Sequence, residues 1–173
     1  LAPVVMYFYP DQSAAIHYAT LSSQTTHGAR EAIECCALFA EILCRALSGK
    51  QDKADLLTAS DVDFSCASVR RLCSPTYANK GAEQIKGSGY CVESLEAALW
   101  CFATTSTFEE AVLLAANLGD DADTTAAITG QLAGAYYGID GIPITWRERL
   151  FMGAELDVMA TGLLYKDERP VPV

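Results

Sequence analysis

Basic residues are scarce in this sequence, and they do not form a cluster. The 173 residues contain 12 Lys and Arg against 22 Asp and Glu, so the formal net charge is −10 at pH 7. Nucleic-acid-binding proteins usually carry a basic patch, and an acidic surface is repelled by anionic membranes while it attracts cations. We therefore predict that neither a nucleic acid nor a membrane is a partner of this chain.

A long apolar run and a zinc-type cysteine spacing are also missing from the sequence. No apolar stretch reaches the length of about 20 residues that a membrane-spanning helix needs, and no signal peptide is visible. The seven cysteines lie in apolar helical patterns without Cys-x-x-Cys spacing, at Cys35, Cys36, Cys44, Cys66, Cys73, Cys91 and Cys101. We interpret them as reduced core residues of a cytoplasmic protein.

Helical periodicity dominates the apolar residues, which make up 51% of the chain, enough for a buried core. From Ala29 to Leu47 they recur every three or four residues, as in an amphipathic helix, and Gly49 suits a C-cap. Similar patterns predict helices at 11–21, 108–117, 146–150 and 154–164. A further helix is predicted to begin after the turn at Gly87 and to reach Phe102. We predict a compact all-α fold of seven or eight helices, with residues 1–173 as a single domain.

The sequence between these helices is less regular. Residues 52–73 favour one or two helices with an interruption near Ser60. The Asp61-Val62-Asp63 segment has no preceding glycine turn, and we interpret its carboxylates as capping or solvated groups. Residues 74–86 are polar and contain proline and glycine, which predicts a loop. From Tyr165 the pattern predicts a polar, proline-containing tail.

An acidic segment after Gly119 places three aspartates and two threonines within a few residues. In a regular helix, which turns about 100° per residue, Asp121 and Asp123 would point in roughly opposite directions. A turn from Gly119 to Asp121 followed by a helix from about Asp123 would let Asp121, Asp123 and Thr124 surround one point. Hard cations such as Mg²⁺ or Ca²⁺ take oxygen ligands of this kind. The alternative is a helix N-cap without a metal.

The helix predicted from Asp123 to Tyr137 has one face of small residues. That face carries Ala126, Gly130, Ala133, Gly134 and Tyr137. A glycine inside a helix costs about 1 kcal/mol relative to alanine, a cost that is tolerated where another helix must approach closely. We therefore predict a buried central helix that holds the acidic segment rigidly.

Two other segments are candidates for ligand binding. Backbone N–H groups in Gly87-Ser88-Gly89-Tyr90, at a helix entry, can hold a phosphate or ribose oxygen, although a flexible turn gives the same sequence. His27 follows Thr26 in a polar loop, where it serves either as a capping or packing group or as a contact to a substrate.

The acidic segment and its surroundings resemble the ADP-ribosylglycohydrolase family, which includes the dinitrogenase reductase-activating glycohydrolases. The resemblance rests on Leu118 to Ile128, Gly130 to Gly138, Ile142-Pro143 and Trp146, with Gly87 to Tyr90 and Leu95 to Trp100. It implies an all-helical fold and a hydrolase that uses two Mg²⁺ ions, or Mn²⁺, to release ADP-ribose from a modified protein or a related ADP-ribosyl substrate.

The resemblance also implies roles for individual residues. Asp121, Asp123 and Thr124 are expected as metal ligands, whereas Asp120 matches a position that is often glycine and receives no role. Gly87, Ser88, Gly89 and Tyr90 are expected to line the ADP-ribose cleft, where Tyr90 would stack on adenine or bond a ribose hydroxyl. His27, in a Thr-His element beside the cleft, is expected to contact the substrate.

The resemblance further implies that this chain corresponds to the C-terminal half of a longer protein. The apolar start from Leu1 to Tyr9 is expected to be a cut end, and the family's Gly-Asp-Ala and Thr-Asp-Asp motifs do not occur in the sequence. The general base is therefore expected outside this chain. A non-catalytic ADP-ribose-binding or structural member and an inactive fragment are alternatives. A sugar-nucleotide transferase, another class with metal-binding Asp-x-Asp, would need alternating strands and helices.

Overall fold

The structure is a computed structural model that describes residues 1–49, 52–58 and 62–165. These residues form ten α-helices and four short 3₁₀ helices, without any β-strand. The α-helices are α1 (Ala2–Phe8), α2 (Gln12–Gln24), α3 (Arg30–Ser48), α4 (Lys53–Leu57), α5 (Ala67–Arg70), α6 (Cys91–Thr104), α7 (Phe108–Ala116), α8 (Ala122–Tyr137), α9 (Ile144–Arg149) and α10 (Gly153–Leu164). The all-α prediction is confirmed, and the described residues give no support to a transferase fold.

The ends of several helices lie where their capping residues predict. The side chain of Asp11 accepts a hydrogen bond from the backbone N–H of Ala14 at 2.9 Å at the start of α2. Gly49 follows α3 with a φ of 76°, a left-handed conformation that glycine adopts without steric cost. Local sequence therefore determines these ends. α9 begins at Ile144, two residues before the predicted Trp146.

The segment predicted as a loop at 74–86 is more ordered than its polarity indicates. It contains 3₁₀ helices at Pro75–Asn79 and Ala82–Gln84. Tyr77 is only 1% exposed and anchors the first of them in the core, which local polarity does not reveal. Lys50, Ser60, Asp61 and the tail after Tyr165 lie outside the described residues, so the predictions for them stay predictions.

The core is built around α3, which packs against α1, α2, α6 and α8. Leu38, Ile42 and Leu43 on α3 are at most 1% exposed, and burying one such side chain contributes about 1.5–3 kcal/mol. The opposing α6 contributes Leu99 and Phe102, both fully buried. The starts of α3 and α6 meet at one end of the molecule, where Tyr90 before α6 is hydrogen-bonded to Glu31 in the first turn of α3.

The small-residue helix α8 lies in the predicted place, but its most buried face differs from the predicted one. The fully buried residues are Thr125, Thr129, Leu132 and Ala133. On the predicted face, Ala133 is buried, whereas Ala126, Gly130, Gly134 and Tyr137 are only partly buried. A Cβ atom added at Gly130 would lie 3.8 Å from Val112, and one at Gly134 would lie 3.9 Å from Phe108. α7 packs against this face, as predicted for a neighbouring helix, but a Cβ atom would fit at either glycine, so the glycines are not required for its approach.

All seven cysteines are free thiols, but only three of them are core residues. Cys35, Cys44 and Cys101 are buried, and the other four are partly exposed. Burial raises the pKa of Cys44 to about 11 and that of Cys101 to about 12, so both thiols are neutral at pH 7. The prediction that every cysteine lies in the core is wrong for the other four. Among the described helices, none combines the length and apolarity that crossing a bilayer requires.

Candidate functional site

The acidic segment forms a sharp turn directly before α8. Gly119 and Asp120 both have left-handed backbone conformations, with φ values of 78° and 57°. Asp121 occupies the N-cap position, and its carbonyl oxygen accepts the first backbone hydrogen bond of the helix, from Thr125 at 3.1 Å. The turn is therefore where the sequence predicts it, and the helix begins one residue before Asp123.

The oxygen atoms of this turn lie close together. The Thr124 hydroxyl donates a hydrogen bond to Asp121 Oδ1 at 2.9 Å, and the Thr124 N–H donates to Asp123 Oδ1, also at 2.9 Å. The Asp121 side chain makes no hydrogen bond to a backbone N–H of α8. The N-cap alternative therefore does not explain the Asp121 carboxylate, although Asp123 does accept a backbone N–H.

The glycine segment from Gly87 to Tyr90, here called the glycine loop, packs directly against the acidic turn. The Asp121 N–H donates a hydrogen bond to the Gly87 carbonyl oxygen at 2.8 Å. A Cβ atom at Gly87 would lie 3.3 Å from both the Gly119 carbonyl oxygen and the Thr125 hydroxyl, and one at Gly89 would lie 3.7 Å from Asp121 Oδ2. The first distance is tight and favours glycine at Gly87, whereas the second is an ordinary contact. Two of the predicted substrate-binding positions therefore lie beside a predicted metal ligand.

Ser88 and Tyr90 use their polar atoms to hold the glycine loop in shape. The Ser88 hydroxyl donates to Glu93 and accepts a hydrogen bond from the Tyr90 N–H at 3.2 Å. The Tyr90 hydroxyl is hydrogen-bonded to Glu31 in the first turn of α3, and this carboxylate raises the pKa of Tyr90 to about 12. The phenol is therefore protonated at neutral pH, while the ring stays 43% exposed.

Glu31 contacts the glycine loop, and the sequence alone does not predict this contact. Hydrogen bonds from Ser68 and then from Tyr90 hold the pKa of its carboxyl below the usual range. Glu31 thereby joins the first turn of α3 to the glycine loop and to α5. Its only local signal is an acidic residue in a first helical turn, which is common in helices and predicts no partner.

His27 lies in the segment between α2 and α3. Its ring nitrogen Nδ1 is 2.9 Å from the Thr26 hydroxyl, and its N–H donates to the Ser23 carbonyl oxygen at 2.7 Å. The ring is exposed and has no hydrogen bond to the glycine loop or the acidic turn. His27 lies three residues before the start of α3. Its contact with the substrate stays a prediction.

Three helix N-termini meet at this site. α6 begins at Cys91 directly after the glycine loop, and α8 begins at Ala122 beside Gly87. The first turn of α3 reaches the same loop through Glu31. The N-terminus of a helix carries a partial positive charge and free N–H groups, and here the carboxylates of Glu31, Asp121 and Asp123 lie in or beside the first turns of α3 and α8 and offset that charge.

The side chains of the acidic turn suit a hard divalent cation but do not complete its coordination. Asp121, Asp123 and Thr124 offer carboxylate and hydroxyl oxygens, the donors that Mg²⁺ prefers. Within the described residues, no group of three or more His, Cys, Asp or Glu side chains lies close enough to hold a metal. An ion bound at this turn would therefore need further ligands from water, substrate or additional protein.

The fold and site together define an all-α protein with a glycine loop packed on an acidic helix start. The sequence model of the ADP-ribosylglycohydrolase family matches residues 1–171. The chain belongs to the ADP-ribosylglycohydrolase family, as its sequence predicts.

Among curated relatives, the ADP-ribosylarginine hydrolase Tri1 of Pseudomonas putida (strain GB-1) is 40% identical over 163 residues, which are 94% of this chain and 43% of the relative. The ADP-ribosyl-[dinitrogen reductase] glycohydrolase of Rhodospirillum rubrum is 41% identical over 78 residues, covering 44% of this chain and 26% of the relative. The chain therefore spans less than half the length of these relatives.

A solved structure also shares this fold. A chain of an ADP-ribosylglycohydrolase-related protein complex superimposes with a TM-score of 0.80 and 39% sequence identity. The match covers 95% of this chain and 57% of that chain. The arrangement of helices is therefore that of the family.

Proposed function

We propose that this chain provides the metal-binding and ADP-ribose-binding part of a hydrolase that cleaves the glycosidic bond of an ADP-ribosylated protein or a related ADP-ribosyl substrate. The observation that carries the proposal is the hydrogen bond from the Asp121 N–H to the Gly87 carbonyl oxygen, at 2.8 Å. It joins the two segments that the family resemblance assigns to metal and to substrate. Relatives with hydrolase names, matching up to 94% of this chain, support the same activity.

The site has the charge pattern that a nucleotide diphosphate requires. ADP-ribose is an anion, and the chain carries a net charge of −10, so binding needs a local source of positive potential. The N–H groups of the glycine loop and a divalent cation held at the acidic turn would supply it, because Glu31, Asp121 and Asp123 offset the dipoles of α3 and α8. The exposed ring of Tyr90 offers a surface for adenine, since its hydroxyl is already bonded to Glu31.

Asp121, Asp123 and Thr124 would hold Mg²⁺ or Mn²⁺. The family binds two such ions, and the remaining ligands would come from outside this chain. A bound ion of this kind supplies a Lewis acid and lowers the pKa of coordinated water. Glycosidic cleavage passes through a transition state with positive charge at the anomeric carbon. No residue of this chain is assigned as the general base.

Arginine-linked ADP-ribose is the first substrate to test, because the relatives from Pseudomonas putida and Serratia proteamaculans are named ADP-ribosylarginine hydrolases. A second candidate function is ADP-ribose binding without turnover. It is favoured by the partial ligand set at the acidic turn. Release of ADP-ribose from ADP-ribosylarginine distinguishes the two functions, since a binding module retains its affinity and releases no product.

Calorimetry with Mg²⁺ and ADP-ribose tests the proposal directly. We expect the chain to bind ADP-ribose in the presence of Mg²⁺, and we expect Asp121→Ala and Asp123→Ala to weaken this binding at least about tenfold, or about 1.4 kcal/mol. Asp140→Ala is the matched control, because Asp140 is an exposed aspartate in the 3₁₀ helix that follows the C-terminal end of α8. Equal affinities in all three variants, or no ADP-ribose binding by the unaltered chain, would contradict the proposal.

A further inference from the structure

Two cysteine side chains meet where α3 packs against α6. Cys35 lies on α3 and is 5% exposed, whereas Cys91 is the first residue of α6 and is partly exposed. Both are free thiols, and their side chains are in hydrogen-bond contact with each other. Sulfur atoms that already touch need little backbone movement to be joined by a covalent bond.

This contact lies beside the one that holds the glycine loop. Cys35 follows Glu31 by four residues, so the two side chains lie on the same face of α3. Cys91 directly follows Tyr90. Glu31 is hydrogen-bonded to Tyr90, and Cys35 contacts Cys91. One face of α3 therefore contacts both the last residue of the glycine loop and the first residue of α6.

A third cysteine, Cys36, lies near this pair and is partly exposed. It directly follows Cys35 on α3, and successive side chains of a helix point about 100° apart. Cys35 is the one in hydrogen-bond contact with Cys91. In the part of the chain that the structure describes, no three Cys, His, Asp or Glu side chains are arranged to hold a metal, so this cluster is not a metal site.

The surroundings of the two thiols keep them reduced under mild conditions. Burial raises the pKa of Cys35 and also that of Cys91, so the reactive thiolate is scarce at neutral pH. A weak oxidant therefore reacts slowly at this site. Because Cys91 is the more exposed of the two residues, a small oxidant such as a peroxide reaches its sulfur atom first.

We propose that Cys35 and Cys91 are a redox-sensitive disulfide site that ties the first turn of α6 to α3 beside the glycine loop. Hydrogen peroxide oxidises the Cys91 thiol to a sulfenic acid and is itself reduced to one water. The Cys35 sulfur then attacks the Cys91 sulfur, and the hydroxyl group leaves with the Cys35 proton as a second water. Two thiols and one peroxide become one disulfide and two waters, and a dithiol reductant restores both thiols while it is oxidised to its own disulfide.

The bond has a consequence for the glycine loop. It brings the two sulfur atoms closer than a hydrogen-bond contact does, so it draws the start of α6 toward α3. The loop directly precedes α6, and its Gly87 is packed tightly against the acidic turn. Oxidation is therefore expected to weaken ADP-ribose binding. This consequence rests on the proposed function, whereas the bond itself does not.

Peptide mapping of the oxidised chain tests the site. The full chain is treated with hydrogen peroxide, its remaining thiols are blocked, and the monomer is digested without reduction and analysed by mass spectrometry. We expect a linked pair of peptides that contain Cys35 and Cys91. We also expect amide exchange across residues 91–95 to slow at least about threefold, because a tethered helix end opens less often. Dithiothreitol should reverse both changes.

Cys35→Ala and Cys36→Ala are the matched variants, because the two cysteines are neighbours on α3. Cys36→Ala is expected to keep the link, whereas Cys35→Ala is expected to lower its yield at least about tenfold, since the sulfenic acid then lacks its contacting thiol. If Cys35→Ala does not fold, Cys91→Ala replaces it, at a partly exposed position. Peroxide should then leave the exchange of residues 91–95 unchanged.

Calorimetry with ADP-ribose and Mg²⁺ separates this proposal from the proposed function. The oxidised chain is expected to bind at least about threefold more weakly than the reduced chain, and Cys91→Ala should bind equally well before and after peroxide. A link from Cys36, a link only between two chains, or no reversible link would overturn the disulfide site. Equal affinities of the linked and reduced chains would overturn its effect on the loop. Absence of ADP-ribose binding by the reduced chain would instead contradict the proposed function, while mapping still decides the disulfide.

Discussion

The backbone N–H of Asp121 lies 2.8 Å from the carbonyl oxygen of Gly87 and donates a hydrogen bond to it. These residues are far apart in sequence, and this bond links the loop before α6 to the turn before α8. The backbone of Asp121, which carries the carboxylate, is therefore coupled to the glycine loop. Substitutions in either segment are expected to affect the other.

Gly87→Ala is expected to disturb this junction. The new Cβ atom would lie 3.3 Å from the Gly119 carbonyl oxygen and the Thr125 hydroxyl, tighter than most contacts of a real Cβ atom. We expect a loss of about 1–2 kcal/mol in unfolding free energy from overpacking, together with weaker ADP-ribose binding. Urea denaturation and calorimetry measure these effects. Gly28→Ala, where a Cβ atom meets nothing within 4 Å, should change neither, and equal effects at both glycines would contradict the prediction.

Glu31→Gln is expected to change the titration of Tyr90. The Glu31 carboxylate accepts the phenolic proton and raises the pKa of Tyr90 to about 12. A neutral amide does not stabilise the protonated phenol in this way, so the pKa should fall toward the ordinary value of about 10. NMR titration of ring-labelled tyrosine measures it. Glu83→Gln, at an exposed glutamate, is the control and should leave the pKa of Tyr90 unchanged. An unchanged Tyr90 pKa in Glu31→Gln would contradict the prediction that the Glu31 carboxylate raises it.

Glu34→Gln is expected to reduce stability at neutral pH and to weaken its dependence on acid. Burial raises the pKa of Glu34, but hydrogen bonds from Ser65, Arg30 and Cys66 outweigh it and lower the pKa to about 2. Because the folded-state pKa lies below the unfolded value, the stabilisation is complete above about pH 4.5 and is lost as the pH falls toward 2. Near pH 7 we expect Glu34→Gln to cost about 2 kcal/mol.

Urea denaturation near pH 7 and near pH 3 checks the Glu34 prediction. The difference between the unaltered chain and Glu34→Gln should shrink at the lower pH, where the carboxylate is protonated in the unfolded state while it stays largely ionised in the folded state. Glu109→Gln is the control, since Glu109 is an exposed carboxylate on α7. A difference that stays constant over this range would assign the effect to packing instead of charge.

Lys53→Met is expected to destabilise the C-terminal end of α6. The Lys53 ammonium donates hydrogen bonds to the carbonyl oxygens of Phe102 and Thr105, each at 2.6 Å, and lies 4.2 Å from the centre of the Phe102 ring. Removing these contacts leaves helix-end carbonyls without a donor, at a cost of about 1–3 kcal/mol. Thermal denaturation measures it, with Lys86→Met as the control because the Lys86 side chain is 73% exposed. Similar losses in both variants would refute a special role for Lys53.

Local sequence predicts the helices and their ends well. The α3 helix follows its apolar period, Gly49 is its C-cap as predicted, and α8 begins within one residue of the predicted start. Each of these features depends on residues that are neighbours in the chain. The same is true of the turn at Gly119, where the bend and the helix start are encoded within a few residues.

The parts that local sequence does not predict depend on distant contacts. The bond between Glu31 and Tyr90 joins α3 to the glycine loop, and neither residue has a local feature that indicates the other. The buried face of α8 is centred on Thr125 and Thr129 because α3 and α6 pack against it, while the glycine face meets α7. The order in residues 74–86 depends likewise on the burial of Tyr77. The family resemblance, in contrast, predicts that the glycine loop and acidic turn share a site.

The left-handed conformation of Asp120, with a φ of 57°, restricts which residues this position accepts. Glycine, asparagine and aspartate adopt it at low cost, whereas β-branched side chains do so only with strain. In a saturation library selected for folded protein, we expect codon 120 to keep these three residues and to lose valine, isoleucine and threonine. Aspartate and glycine at this position would then be interchangeable, because both adopt the left-handed conformation and neither is required for the chemistry of the site.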